Sequence, residues 1–326
     1  MSVLVLCDHD RGTLAEASLE ALTFGRQLAS DLGVACHSVL IGQGADNASE
    51  TLPTYGAETI HLVEHESLSD YGPAAWGESL NQLVNTTNPA AVLASGTDRG
   101  NEVLAHLAAT LDLPFVANCV TTNTNNSSSW VMTRVQWGGS LLEDSELNTD
   151  KVKLFTVAHH GIEAEESSSP ASGQKEIFTP ELEESITHTM VVDRVVLTQG
   201  ITLSTSPVVV GGGRGVGSAE AFAPLEELAA ELNGVVGCSR AVTNNGWRPH
   251  SDQVGQTGTR IAPQIYIANG ISGAIQHWVG AMAAKNILAI NTDPEANMVA
   301  KAGYAVIGDL HQVIPAVLEE VRRRKS

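Results

Sequence analysis

The feature that most restricts the fold of this chain is a repeated alternation of short β-branched apolar runs with stretches of helical periodicity. SVLVLC leads into TLAEASLEALTFGRQLASDLG and then VACHSVLIG; the theme returns as ETIHLVEH, a helix around WGESLNQLVNT, AVLASG, and a helix in NEVLAHLAATLDL. Strand, helix, strand at this spacing builds a parallel sheet, because only a long crossover returns the chain in the same direction. Near-continuous apolar strands further imply a sheet covered on both faces. Thr13 and Glu16 stand at the spacing of a capping box, which places the start of the first helix at Thr13. WVMTRVQWGGSLLE and KVKLFTVAHH read as further strands, and GIEAEESSSPASGQKE, with almost no apolar content, reads as an exposed loop. MVVDRVVLT reads as a last strand of the first sheet.

The alternation restarts at PVVVGGGRG and runs through the helix AEAFAPLEELAAELNG, VVGCSR, QIYIANG, the helix SGAIQHWVGAMAAK, ILAINTD, AVIGDL and the helix LHQVIPAVLEEVRRR. A length of 326 residues accommodates two such domains. The expected fold class is therefore α/β, with two doubly wound Rossmann-like domains and mainly parallel sheets. The boundary falls near Val195 to Ser206, which gives domains of residues 1–195 and 196–326.

Charge narrows the partners. With 37 acids against 18 bases the formal net charge is −19, a field that repels phosphate backbones and disfavours nucleic acid. No apolar run approaches the ~20 residues that span a bilayer, so no membrane insertion is expected. MSVLVLCDHDRG has no basic residues before its apolar run and acids directly after it; it reads as a strand rather than a secretory leader, and a cytoplasmic location is expected. Cys7, Cys36, Cys119 and Cys238 form no C-x-x-C pair and are expected as reduced, mostly buried thiols.

The residues that point to chemistry cluster in the second domain. VVVGGGRGVG is a strand running into a glycine-rich turn and a helix, a context in which backbone N–H groups approach a pyrophosphate. It lacks the third glycine of G-x-G-x-x-G, since Val216 stands there, while Arg214 adds a guanidinium suited to phosphate. CSR at Cys238 to Arg240, QVGQTG at Gln253 to Gly258 and NGISGAIQH at Asn269 to His277 each follow a strand. Ligands bind where the carboxyl ends of such strands meet, and so many loops converging imply a large ligand. If Ser272 caps its helix, Gly273 and Ala274 present free N–H groups, with Gln276 and His277 one turn on as donors. The same residues also fit an interior histidine with glycines that permit close packing. A flavin suits the wider pattern, because its pyrophosphate wants helix N-termini and Arg while its reduced ring wants donors. The alternative is a NAD-dependent dehydrogenase or a nucleotide-binding sensor on the same sheet. Against it, no acid stands about 20 residues beyond the glycine turn to hold a nicotinamide cofactor's ribose.

GGGRGVGSAEAF, GCSRAVTNNGW, QVGQTGTRIAPQIYIANGISGAIQH, ILAINTDPEA and GYAVIGDLHQVIP resemble, in order and spacing, the FAD domain of the electron transfer flavoprotein alpha subunit. VLVLCDHD and GTDRGNEVLAHLAATLDLPF extend a looser resemblance over the first domain. The resemblance implies FAD contacts at Arg214, Ser239, Arg240, Gln253, Val254, Gly255, Thr257, Ser272, Gly273, Ala274, Gln276, His277, Asn291 and Asp309. It implies Thr257 opposite the flavin N5, His277 at O2, Arg240 over the ring, and Asn291 and Asp309 on the adenosine side. It also implies an electron carrier rather than an enzyme. The beta subunit of a heterodimer would be its partner, flavin dehydrogenases its donors, and a quinone oxidoreductase or another acceptor would receive the electrons. Asn244, Asn297 and Gly303 depart from the family pattern outside that shell. AHHG, Ala158 to Gly161, stands where the family has an Arg-Pro pair. Adjacent histidines on a strand point to opposite faces, so His159 and His160 are not expected to hold a metal.

Overall fold

The computed structural model describes residues 1–139, 141–191 and 201–325. The chain divides into two compact units, Met1–Val195 and Val196–Ser326. Most of MVVDRVVLT, and the first half of the segment expected to join the domains, lie outside the described residues.

The first unit carries a sheet of nine strands among the described residues. They are β1 (Ser2–Leu6), β2 (Ala35–Ile41), β3 (Thr59–Val63), β4 (Ala91–Ser95), β5 (Phe115–Asn123), β6 (Ser129–Gln136), β7 (Leu141–Asn148), β8 (Lys153–Val157) and β9 (Gln174–Phe178). Their spatial order is β9-β3-β2-β1-β4-β8-β5-β6-β7. Pairing is parallel from β9 through β5, and the last two strands add an antiparallel meander. Successive side chains of a strand point to opposite faces, so each strand feeds two cores. Val3 and Val5 pack with Leu22 and Leu28 of α1 (Glu16–Leu32). Leu4 and Leu6 pack on the other face with Leu80 and Leu83 of α2 (Pro73–Thr87) and with Leu104 and Leu107 of α3 (Asp98–Leu111). Each such side chain, fully buried, contributes about 1.5–3 kcal/mol, enough in sum to hold helices on both faces.

Two local expectations are corrected in this unit. The capping position of α1 is held by Ala15, with no side-chain cap, because Thr13 is drawn into a two-stranded ribbon in which it pairs with Asp10. The last residues of GIEAEESSSPASGQKE are not loop. Gln174, Lys175 and Glu176 open the edge strand β9, whose backbone pairs with β3 while the side chains of Gln174 to Ile177 remain exposed and Phe178 packs on the core. All four cysteines are buried and free.

The second unit has a five-stranded sheet among the described residues, formed by β10 (Val208–Gly212), β11 (Val235–Cys238), β12 (Ile265–Asn269), β13 (Ile287–Asn291) and β14 (Tyr304–Ile307). Every pairing is parallel and the order is β11-β10-β12-β13-β14. Its helices are α4 (Ala223–Glu231), α5 (Arg240–Asn244), α6 (Ile275–Ala281), α7 (Asn297–Lys301) and α8 (Leu310–Lys325). Val210 packs with Leu225 of α4 and Ile314 of α8, while Val209 joins Tyr266, Ala281 and Met298 on the opposite face. Both units are thus Rossmann-like α/β layers. Because the chain leaves β10 for β11 on one side and continues to β12 on the other, the strand order reverses between β10 and β12. Ligands of such sheets bind in the crevice at that point. No helix among the described residues is long and apolar enough to cross a membrane.

Candidate functional site

The loops after β10 and β12 meet backbone to backbone across this switch point. Gly213 N–H donates to the Asn269 carbonyl at 2.8 Å and Gly215 N–H to the Gly270 carbonyl at 3.1 Å. A Cβ on Gly213 would lie 2.2 Å from the Gly270 oxygen. Glycine is required here by close approach, which accounts for a glycine turn that misses the dinucleotide spacing. Beside it, Arg214 is exposed.

The QVGQTG loop is stitched to α6. Gln256 N–H donates to the Gln276 carbonyl at 2.7 Å and Ile261 N–H to the Gly280 carbonyl at 2.8 Å. Gly255 and Gly280 pack so closely that a Cβ on Gly280 would stand 2.3 Å from the Gly255 nitrogen. The loop is tied as firmly to β11 and α5, through Val254 N–H to the Cys238 carbonyl at 2.9 Å. A side-chain relay completes the link: Thr243 Oγ1 donates to Gln253 Oε1 at 2.8 Å, and Gln253 Nε2 donates to Thr257 Oγ1 at 3.0 Å. Gln253 is 2% exposed, with both amide atoms engaged by protein, while Thr257 at the end of the relay is exposed.

The segment 270–277 departs from the expected capping. Ala274, not Ser272, occupies the capping position of α6, and no side chain caps the helix. Gly273, at φ 76°, turns the chain between them, and the Ser272 carbonyl instead accepts from Met298 N–H at 3.2 Å. The physical reason is the turn itself: a left-handed residue after Ser272 carries its side chain away from the helix start. Ser272, Ala274 and Gln276 are exposed. His277 is the interior histidine that the sequence also allowed. It is 7% exposed, and its Nε2 lies 2.9 Å from the Tyr266 hydroxyl. Burial pulls its pKa down to about 4, against a smaller opposing effect of the Val254 backbone, so the ring is neutral at neutral pH.

Asn291 and Asp309 close the row at the tips of β13 and β14. Asn291 Nδ2 donates to the Ile271 carbonyl at 3.1 Å, fastening the glycine segment to β13. Asp309 Oδ1 accepts from His311 N–H at 2.9 Å at the start of α8. Ten of the fourteen expected residues therefore fall at the carboxyl tips of five adjacent strands, and Gln253, Val254, Gly255 and Thr257 lie on the loop that Gln253 bridges to Cys238. Ser239 and Arg240 follow β11, Arg214 follows β10, the 272–277 group follows β12, and Asn291 and Asp309 follow β13 and β14. At ~4.8 Å between strands this row is about 19 Å long. Arg214, Arg240, Thr257, Ser272, Ala274, Gln276 and Asp309 are exposed; Ser239 and Asn291 are half-buried; Gln253, Val254, Gly255, Gly273 and His277 are buried.

Two residues outside that set belong to the same place. Asn269, 0% exposed, ends the central strand and donates through Nδ2 to the Gly211 and Ile267 carbonyls at 3.0 and 3.1 Å, while its Oδ1 has no partner. Tyr266 holds His277. The signal for Asn269 was an amide at the end of the apolar run IYIA; Tyr266 gave none, since a tyrosine in such a run reads as core. Among the described residues of the second unit, the buried side-chain polar atoms without a partner are Asn269 Oδ1 and His277 Nδ1, both on the segment 269–277. Buried polar atoms are normally satisfied, and exceptions need a cause. A dinucleotide rich in hydroxyls, phosphate and ring acceptors fits an edge that offers two guanidinium groups, exposed polar side chains and these unsatisfied atoms.

Residues 202–282 match the electron transfer flavoprotein FAD-binding domain, and residues 3–185 match the electron transfer flavoprotein domain. Asn291 and Asp309 lie beyond the first of these matches. The chain is 31% identical over 324 residues to the electron transfer flavoprotein subunit alpha of Thermoanaerobacterium thermosaccharolyticum, covering 99% of this chain and 98% of that protein. It is 33% identical over 323 residues to the subunit alpha of Bacillus subtilis, covering 98% and 97%. It is 34% identical over 331 residues to protein FixB of Rhizobium meliloti, covering 99% and 93%. With the FAD-binding domain matched at the crevice the geometry marks, and both matches spanning most of its length, the chain belongs to the electron transfer flavoprotein alpha subunit family.

Proposed function

We propose that this chain is the alpha half of a heterodimeric carrier that works with a beta subunit and one non-covalent FAD. In this reading flavin dehydrogenases, such as acyl-CoA dehydrogenases, supply the electrons. A quinone oxidoreductase or a comparable acceptor removes them, and the pair works in the cytoplasm without converting a substrate of its own. Bound FAD supplies reversible electron uptake, a chemistry that needs proximity and a tuned potential rather than a protein nucleophile.

The protein's part is to bind and bias. Arg214 offers a fixed positive charge beside the switch-point glycines, suited to the pyrophosphate. Arg240 and Gln276 are exposed donors on the flavin side, where donors favour the electron-loaded ring. Thr257 is oriented rather than free: its oxygen already accepts from Gln253 Nε2, which leaves the hydroxyl hydrogen for the cofactor. Because Tyr266 holds Nε2 of His277, a contact from this ring to the flavin runs through Nδ1, the atom left without a partner. Gln253, Asn269 and Asn291 act as positioning residues that lock the loops. The observation that carries the reading is the gathering of exposed donors and of both unpartnered buried atoms at one switch point.

The test is co-expression with candidate beta partners and a donor dehydrogenase. The expected product is a yellow complex whose FAD is bleached by the dehydrogenase with its substrate and recovers on addition of the acceptor. A complex that binds a nicotinamide nucleotide and no FAD would assign the chain to the other reading.

A further inference from the structure

The first unit holds a side-chain cluster that the flavin site does not use. The chain leaves β8 and reverses in a tight turn, with Gly161 N–H donating to the Ala158 carbonyl at 2.9 Å. His159 and His160 therefore do not lie on the strand, and the opposite-faces argument does not apply to them. His160 takes a left-handed conformation at φ 58°, and the two imidazoles stack with centroids 3.7 Å apart. Facing them is Glu20 of α1, 8% exposed. Its Oε2 accepts from His160 N–H at 2.8 Å, and its Oε1 lies 3.2 Å from His160 Nδ1. His160 Nε2 is buried and has no partner. One ligand atom from each of Glu20, His159 and His160 lies within 4.8 Å of the other two.

We infer that Glu20, His159 and His160 form a binding site for a divalent transition metal of the zinc class. Ligand atoms at ~2.1 Å from a tetrahedral zinc are about 3.4 Å apart. The Glu20–His160 pair, at 3.2 Å, is close to that spacing, and His159 offers its ligand atom within 4.8 Å of both. Two imidazoles with one carboxylate select a transition metal over magnesium or calcium, which prefer all-oxygen shells. The backbone N–H of His160 fixes one carboxylate oxygen and leaves the other to ligate, an outer-shell contact typical of built sites. Three protein ligands leave a fourth position for water or a small anion. The metal would clip α1 to the turn after β8, residues 139 positions apart.

A second histidine pair shows what distinguishes the cluster. His37 Nδ1 meets His61 Nε2 at 3.1 Å, and His61 Nδ1 meets Glu176 at 3.5 Å. There the His61 ring lies between the other two groups, so the contacts run in a line and do not converge.

The experiment uses the full chain as purified, with its partner and FAD retained, stripped of metal by chelating resin and titrated calorimetrically with zinc chloride and, separately, magnesium chloride. The expected result is one zinc per chain and no saturable magnesium binding. Cobalt(II) should give the visible ligand-field bands of a low-coordinate site. His159→Ala, His160→Gln and Glu20→Gln should each weaken zinc binding by roughly 100-fold while FAD content stays unchanged. His159 is half-buried, whereas Glu20 is buried, so His159→Ala with native circular dichroism keeps the test decisive if the other variants misfold. Zinc binding that is absent from the wild-type chain, or equally tight in His159→Ala, or weaker than magnesium binding, would overturn the proposal.

Discussion

His277 is an interior histidine, one of the two readings that the sequence allowed, and its contact with FAD stands as part of the proposal. Its ring is interior, yet it is bonded through one nitrogen only, and its burial makes it a reporter of pH. Below the ordinary histidine pKa of 6.5 the unfolded chain takes up a proton that the folded ring, at about 4, refuses. Stability from this group is present above pH 6.5 and is lost as pH falls toward 4, on the order of 3 kcal/mol over that window. Urea unfolding of the FAD-free protein between pH 7 and pH 4 should show that slope, and His277→Gln should flatten it. An unchanged slope would mean that the ring is not buried as described. With FAD bound, His277→Ala should lower the flavin midpoint by roughly 20–60 mV, the equivalent of one donor to a charged group. Thr257→Val should lower it comparably, and a spectroelectrochemical titration checks both. The places of the expected residues at strand tips were legible from motif and strand order. Tyr266 and Asn269 were not, because their roles depend on a partner across the fold: a hydroxyl on one strand meeting a helix, and an amide bridging two backbones.

At the scale of elements, hydrophobic runs marked the buried strands accurately because each of those strands feeds two cores. The same signal failed where burial was lacking. The edge strand β9 leaves Gln174 to Ile177 exposed, is recruited by backbone pairing to β3, and buries only Phe178 in part against the core. Helix α6, running from Ile275 to Ala281, is shorter than the apolar stretch that suggested it, and it begins only after the left-handed turn at Gly273. The glycine segments yield a paired prediction. Gly213→Ala drives a Cβ into the backbone of the Gly270 loop and should cost about 2 kcal/mol or more, with loss of most bound FAD. Gly246→Ala, at φ 72° with open space around it, should cost only about 1 kcal/mol of backbone strain and keep the cofactor. Thermal melts with measured FAD content separate the two, and equal effects would contradict the packing account of the switch point.

For the whole molecule, the two units have separate cores, and the residues assigned to FAD all belong to the second. A ligand that binds only the native form adds about 2.7 kcal/mol at a hundredfold excess over its dissociation constant. FAD should therefore protect the second unit from local opening and leave most amides of the first unaffected. The α/β class of the fold was readable from the period of the sequence. The His159–His160–Glu20 cluster was not, because its members are distant in sequence and are joined by a turn that the strand pattern concealed. The most direct measurement is hydrogen exchange on the purified protein with its beta partner, comparing FAD-free and FAD-loaded forms at known stoichiometry. The account predicts one FAD per chain, with new protection in residues 213–217, 239–243, 253–258 and 269–277. A preparation that takes up no FAD, or one in which protection falls only within residues 1–191, would contradict it.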